Sequence, residues 1–171
     1  RTGKSTFIKR FVELMLLPQI QNRSLAKRAK DDLPQSAAGR TIRTTEPKFV
    51  PEQAVTVSME DGGEFRARLI DCVGYMVKGA MGQAEAGRPR MVKSPWFENE
   101  VAFDLAAETG TKKVICEHST VGVVMTTDGS ISDLPRSAYE EAEERVIEQL
   151  QGMQKPFVIL LNCVRPDSLE A

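Results

Sequence analysis

The feature that most constrains the fold is the first hexapeptide, RTGKST at residues 1–6, which an amphipathic run follows at once. It is the second half of the phosphate-binding pattern G-x-x-x-x-G-K-[ST], in which a loop opens directly into a helix. The pattern predicts a P-loop NTPase fold. The first glycine of the pattern, and the strand that feeds the loop, are expected upstream of Arg1.

Each residue of this half-loop has a chemical role in the pattern. Gly3 lets the backbone approach a phosphate, and the N–H groups from Gly3 to Thr6 would point at it from the first helical turn. Lys4 can reach the β- and γ-oxygens, and the Ser5 hydroxyl can ligate Mg²⁺. In an ordinary helix the same Gly and Ser would act only as caps. The rest of the chain therefore decides between phosphate binding and simple capping.

Composition limits the remaining possibilities. The 171 residues suit one nucleotide-binding domain over 1–171, without its first strand and the start of its loop. Lys and Arg number 23 against 24 Asp and Glu, so no overall positive field for nucleic acid is expected. The longest apolar stretch, 157–161, is too short to span a membrane. Three scattered cysteines and one histidine exclude a zinc site and favour a reducing cytosol.

Hydrophobic periodicity in the first half predicts a helix over 6–17 that Pro18 stops. Residues 19–53 are polar and aperiodic, which indicates a long loop with a short helix near 23–32. Two alternating runs, 54–59 and 65–70, flank the turn EDGG and predict a β-hairpin whose second strand ends on Asp71.

The second half reads as an irregular insertion followed by alternating strands and helices. The predicted elements are an irregular segment at 75–97, helical pieces over 99–118 interrupted near Gly110, a strand at 121–127, a helix at 137–152 capped by Ser137 and Glu140, and a strand at 157–161. Apolar strands alternating with helices predict an α/β fold with a mostly parallel sheet flanked by helices.

Three further elements of a triphosphatase occur in chain order. Thr44 and Thr45 supply hydroxyls in the long loop, where they could close over the γ-phosphate and Mg²⁺; ordinary turn capping is the alternative. Asp71 begins a D-x-x-G pattern at a strand end, and the backbone N–H of Gly74 could sense the γ-phosphate, although both residues could simply end the strand. Asn162 stands where base recognition is expected.

Two departures from the guanine-nucleotide pattern change the predicted specificity. Where N-K-x-D is expected, the chain has Asn162-Cys163-Val164-Arg165, and a cation cannot accept the guanine donors. Adenine, and hence ATP with Mg²⁺, is the better prediction. Tyr75 follows the D-x-x-G pattern in place of the glutamine that orients the attacking water. Hydrolysis should therefore be slow, or be completed by a residue from a neighbouring subunit or by a cation.

At this point several phrases resemble one family, the bacterial stage IV sporulation proteins A, which are ATPases related to translation-factor GTPases. The phrases are RTGKSTFIKRF, LPQSAAGRTIRTTEPKFVP, DCVGY, EHSTVGVVMTTDGSI, EEAEERVIEQL and KPFVILLNCVRP, and together they span nearly the whole chain. The resemblance implies a translation-factor GTPase-like topology and a protein that hydrolyses ATP and polymerises into a static shell. It places that shell in the cytoplasm on the mother-cell side, at the forespore surface, where the spore coat assembles.

The resemblance also implies residue roles and partners. Lys4 would be the phosphate-loop lysine, Ser5 the Mg²⁺ hydroxyl, Thr44 and Thr45 the sensor threonines with Thr45 at the metal, and Asp71 the acidic metal-site residue. The implied partners are further copies of itself, other spore-coat proteins and a small membrane-bound anchor protein, through regions outside this chain. Two alternatives stay open: a regulatory GTPase of the translation-factor class, and a structural module that binds nucleotide without hydrolysing it.

Overall fold

The chain forms two compact units. The computed structural model describes residues 2–34, 46–79, 84–85 and 88–168, with the backbone alone at 84, 85 and 88. The helix–hairpin unit contains residues 4–34 and 48–71. The parallel-strand unit contains the described residues among 2–3, 46–47 and 72–168. The single nucleotide-binding domain expected over 1–171 stays a prediction.

The helix–hairpin unit starts with α1, Lys4–Phe11, which continues through a wider π-helical turn, Val12–Leu16. A 3₁₀ turn at Leu17–Gln19 ends this helical stretch and contains Pro18 near its start, where the missing N–H costs nothing. The helix predicted over 6–17 is therefore confirmed. The short helix predicted near 23–32 is also present, as α2 at Arg23–Asp31.

The predicted hairpin is present and longer than expected. Strand β1, Lys48–Ser58, pairs antiparallel with β2, Glu64–Asp71. Its turn uses Gly62 at a φ of +84°, a conformation that favours glycine. The loop predicted as far as residue 53 is wrong over its last six residues. Pro51 is accommodated there because the register shifts between Val50 and Val55, where a ladder hydrogen bond is not required.

The core of the helix–hairpin unit lies between α1 with its π-helical extension and one face of the hairpin. The apolar side chains of α1 and its π-helical extension recur at helical spacing and pack with Val50 and Val57 of β1, which lie on opposite sides of the register shift. The buried members are Ile8, Val12, Leu16, Leu33, Val50 and Val57.

The described part of the parallel-strand unit contains two short antiparallel pairs of strands, two long helices and one parallel pair of strands. Its elements in chain order are β3 (Ala84–Glu85), β4 (Arg88–Pro89), β5 (Met91–Val92), β6 (Val101–Ala102), α3 (Phe103–Lys113), β7 (Gly122–Thr127), α4 (Glu140–Gly152) and β8 (Phe157–Asn162). Strands β3 and β4 pair antiparallel, as do β5 and β6.

Strands β7 and β8 lie parallel and in register, with Gly122 opposite Phe157 and Thr127 opposite Asn162. Helix α4 forms the connection between them, as a parallel pair requires. The carboxyl ends of both strands therefore meet at one edge, so the residues after Thr127 and Asn162 lie side by side.

Two details of the predicted helices are wrong. Helix α3 runs without interruption through Gly110, which is buried, and continues in a π-helical turn over Val114–His118. Helix α4 begins at Glu140 rather than at Ser137, because a 3₁₀ turn, Arg136–Ala138, occupies the expected first turn. Ser137 thus makes no cap, and no side chain caps α4.

The core of the parallel-strand unit joins α4, the parallel strands and the end of α3. It is built from Ile115, Val124 and Leu150, with Tyr75, Val146, Ile147 and Phe157 packed around them. The fold is thus mixed α/β. In the described part of the chain, one of the four pairs of strands is parallel and the other three are antiparallel. No helix in the described ranges combines the length and the apolar character of a membrane span.

Candidate functional site

Ser5 and Asp71, which lie 66 positions apart in the sequence, meet in the helix–hairpin unit. The Ser5 hydroxyl donates a hydrogen bond of 3.0 Å to Asp71 Oδ2, and the contact is partly buried. Ser5 lies in the first turn of α1 and Asp71 is the last residue of β2. Because the proton of Ser5 is used on the carboxylate, the oxygen lone pairs of its hydroxyl are free to face a cation.

The beginning of α1 also suits an anion. A helix leaves its first N–H groups without intrahelical partners and carries a partial positive charge at that end. The first turn of α1 contains Lys4, Ser5 and Thr6 and no acidic residue that would occupy those groups. Lys4 is half-buried and makes no ion pair with any described residue. These groups can all serve a phosphate.

Asn162 connects the end of β8 to the predicted phosphate loop within the parallel-strand unit. Its Nδ2 donates a hydrogen bond of 3.1 Å to the backbone oxygen of Thr2. Gly3, the next residue, has a φ of +91°, and a Cβ there would lie 2.5 Å from Asn162 Nδ2. Glycine is therefore required at position 3 for two independent reasons, the backbone conformation and the space that Asn162 occupies.

The D-x-x-G glycine has a partner that the sequence did not reveal. The backbone N–H of Gly74 donates a hydrogen bond of 3.1 Å to Thr111 Oγ1 on α3, and Gly74 has a φ of +83°. A threonine late in a helix reads as an ordinary helical residue, so no sequence signal marks Thr111.

Tyr75, which follows the D-x-x-G pattern, is partly buried and packs against the core of the parallel-strand unit. Its hydroxyl hydrogen-bonds the Gln149 side-chain oxygen, and the Arg145 guanidinium lies 4.6 Å from the ring centroid. Burial raises the pKa of the Tyr75 phenol, although the charge of Arg145 partly opposes the rise. The phenol therefore stays protonated at neutral pH and is held by α4.

The loops after β7 and β8 are joined at the carboxyl edge of the parallel strands. The Val164 backbone N–H donates a hydrogen bond of 3.0 Å to Ser130 Oγ. The Ser130 hydroxyl donates in turn to Asp128 Oδ1 at 2.7 Å, and this bond lowers the pKa of the Asp128 carboxyl. Asp128 and Ser130 were not predicted as site residues, because loop residues of these types usually serve only turns.

The predicted site residues thus fall into three groups. Ser5 and Asp71 are in contact, and Asn162 contacts the loop backbone beside Gly3. Thr44 and Thr45 lie outside the described residues. The roles predicted for Lys4, Thr6, Gly74 and the others toward a nucleotide stay predictions.

Comparison with known proteins identifies the chain. The family model described as "Stage IV sporulation protein A, ATPase domain" matches residues 1–171. The chain belongs to this family. Its resemblance to the stage IV sporulation proteins A, drawn from the sequence phrases, is therefore confirmed.

Curated relatives named "Stage IV sporulation protein A" agree with this assignment. The chain is 60% identical to the one from Bacillus subtilis (strain 168) and 58% identical to the one from Bacillus anthracis, each over 97% of this chain and 34% of the relative. It is 48% identical to the one from Clostridioides difficile (strain 630), over 99% of this chain and 35% of the relative. The chain thus spans about a third of the length of these relatives. No solved structure matches.

Proposed function

We propose that this stage IV sporulation protein A ATPase domain binds and slowly hydrolyses Mg-ATP on a P-loop scaffold of translation-factor GTPase-like topology. The observation that carries the proposal is the 3.0 Å hydrogen bond from the Ser5 hydroxyl to Asp71 Oδ2. It joins the hydroxyl that ends the phosphate-binding pattern to the carboxylate that begins the D-x-x-G pattern. Neither motif alone requires this contact, whereas a shared metal and phosphate site requires both residues together.

The donor set fits Mg²⁺. Ser5 offers a hydroxyl oxygen and Asp71 a carboxylate, both hard oxygen donors of the kind Mg²⁺ prefers. Among the described residues no group of three His, Cys, Asp or Glu side chains could cage a metal. Mg²⁺ at such sites keeps water and phosphate oxygens as its other ligands, and when bound it neutralises charge on the β- and γ-oxygens. Asp71 holds the Ser5 hydroxyl in place, and its direct contact with the metal stays a prediction.

The residues of the chain have separate tasks in this proposal. Lys4 and the N–H groups at the start of α1 bind the phosphates, and the N–H of Gly74 senses the γ-phosphate. Thr44 and Thr45 are proposed to close over the γ-phosphate, with Thr45 at the metal. Slow turnover follows because the Tyr75 hydroxyl is engaged with Gln149 and cannot orient water as an amide would.

The proposed base is adenine. Asn162 holds the loop backbone, and the two positions that would read guanine are Cys163 and Arg165. Neither a thiol nor a guanidinium can accept the paired donors of guanine as a carboxylate does. A preference for ATP over GTP follows.

The wider role rests on the family. We propose that ATP turnover serves a self-polymerising basement layer of the spore coat, in the mother-cell cytoplasm at the forespore surface. The partners proposed are further copies of the protein, other coat proteins and a small membrane-bound anchor protein. Regions outside this chain would make those contacts.

Phosphate release with Mg-ATP and with Mg-GTP, measured on the intact protein, tests the proposal. Lys4→Ala should abolish ATP turnover, because Lys4 is the residue of the pattern that reaches the β- and γ-phosphates. Lys9→Ala is the matched control, since Lys9 lies on the same helix in a surface ion pair with Glu13. It should keep the parental rate.

The alternatives have distinct outcomes. Faster turnover of GTP than of ATP would favour a regulatory GTPase and contradict the argument from Arg165. Binding of ATP without phosphate release would favour a structural nucleotide-binding module. Equal rates in the parent and in Lys4→Ala would refute the phosphate-loop assignment itself.

A further inference from the structure

The hydroxyl of Thr111 acts both as a hydrogen-bond donor and as a hydrogen-bond acceptor. It donates a hydrogen bond of 2.8 Å to the Ala107 backbone oxygen and accepts one of 3.1 Å from the Gly74 N–H. The first bond lies within α3 and is common for threonines in helices. The second joins positions 37 apart in the sequence and fixes the only backbone donor of Gly74. Since the hydroxyl proton is used on Ala107, Thr111 presents an acceptor to Gly74.

Packing alone does not require this hydroxyl. Phe103, Ala107 and Thr111 follow one another at four-residue spacing on α3, and all three are buried, with Thr111 only 3% exposed. Positions four apart share one face of a helix, so Thr111 occupies the third place in an otherwise apolar stripe. A valine would fill nearly the same space. The Thr111 hydroxyl is the polar member of this stripe, and its acceptor side is the side that meets Gly74.

The proposed function gives the Gly74 N–H a second acceptor. A γ-phosphate oxygen and Thr111 Oγ1 are both acceptors, and one N–H makes one strong hydrogen bond. ATP would therefore compete with Thr111 for this donor, whereas ADP, which lacks the γ-phosphate, would leave the bond between Gly74 and Thr111 in place.

We infer that Thr111 is a positioning residue that holds the Gly74 N–H when no γ-phosphate is bound, and thereby sets how strongly the site discriminates ATP from ADP. This inference rests on the proposed function. When ATP displaces it, the Thr111 hydroxyl keeps its bond to Ala107, so no buried donor is left without a partner. The competition therefore concerns one neutral hydrogen bond.

The test compares two affinities in the intact protein, one for ADP and one for the non-hydrolysable β,γ-imido analogue of ATP, both with Mg²⁺ and measured by calorimetry. Thr111→Val removes the acceptor and keeps the shape, and Thr111→Ser keeps the hydroxyl as the matched control. Thr111→Ala, which also lacks the acceptor and favours a helix, is a second variant in case valine prevents folding.

We expect Thr111→Val to raise the ratio of analogue affinity to ADP affinity about fivefold, the effect of one net hydrogen bond. The ADP affinity should change less than twofold, and Thr111→Ser should keep the parental ratio. A purely structural role would change both affinities together and leave the ratio unmoved.

The outcomes separate this inference from the proposed function. If the parent binds both nucleotides and neither Thr111→Val nor Thr111→Ala changes the ratio, the inference is refuted while the proposed function stands. If the parent binds neither nucleotide, both the inference and the proposed function are refuted. A lower ratio in the variants would also refute the inference, because it would mean that Thr111 assists the γ-phosphate instead of competing with it.

Discussion

Single residues of the predicted phosphate loop are constrained by partners far away in the chain. Gly3 combines a φ of +91° with the close approach of the Asn162 amide, while Thr2 accepts the hydrogen bond from that amide. The motif accounts for glycine by its closeness to phosphate, and the structure adds two requirements that hold without any nucleotide. The residue matters for stability as well as for binding.

Gly3→Ala should therefore destabilise the protein before ATP is added. A non-glycine residue forced into positive φ costs about 1–3 kcal/mol, and the clash with Asn162 Nδ2 adds to that. The change should appear as a lower urea midpoint for unfolding, measured on the intact protein by circular dichroism.

Adding Asn162→Ala to Gly3→Ala separates the two causes. Removal of the amide relieves the clash but not the backbone strain, so the double variant should recover part of the lost stability. Unfolding of Gly3→Ala at the parental midpoint would contradict the described loop conformation.

At the scale of the elements, α3 ends in an unusual way that a distant residue stabilises. The helix widens over Val114–His118, and such an end leaves carbonyl groups without helical partners. The Lys155 ammonium, just before β8, donates to the backbone oxygens of Ile115 and Ser119. A positive charge at a helix C-terminus also interacts favourably with the helix dipole.

Lys155→Met should lower the free energy of unfolding by about 1.5–3 kcal/mol, the range for hydrogen bonds to a charged group. Methionine keeps an apolar side chain of similar length, so the loss reports mainly on the ammonium. Denaturant unfolding of the intact protein measures it. Lys112→Met, at an exposed position of α3, is the control and should leave the midpoint nearly unchanged.

At the scale of the whole molecule, each of the two units has its own hydrophobic core. The core around Val12 and Leu16 belongs to the helix–hairpin unit, and the core around Val124 and Leu150 belongs to the parallel-strand unit. A ligand that binds only the folded protein shifts the unfolding equilibrium toward the folded state.

Mg-ATP should therefore raise the thermal unfolding temperature of the intact protein. A ligand that binds only the folded state at a hundred times its dissociation constant contributes about 2.7 kcal/mol. Differential scanning fluorimetry with equal concentrations of ATP and GTP measures the shift, and ATP should give the larger one. A shift of the same size in Lys4→Ala would show that the nucleotide binds elsewhere.

Local signals in the sequence determined a large part of this protein. The apolar spacing of α1, the EDGG turn of the hairpin and the apolar run of β8 act within a few residues, and they predicted those elements correctly. The family could be recognised from the sequence for the same reason, because each of its characteristic motifs is a run of consecutive residues.

Tertiary structure alone decided which of these residues meet. The partners of Gly74, Lys155 and Asn162 lie 37, 36 and 160 positions away, and no local pattern encodes such pairs. Ser137 failed as a cap because a 3₁₀ turn replaced the expected first turn of α4, although the capping pattern was present. Short-range preferences set helices, strands and turns, whereas hydrogen bonds between distant residues depend on how the packed elements bring them together.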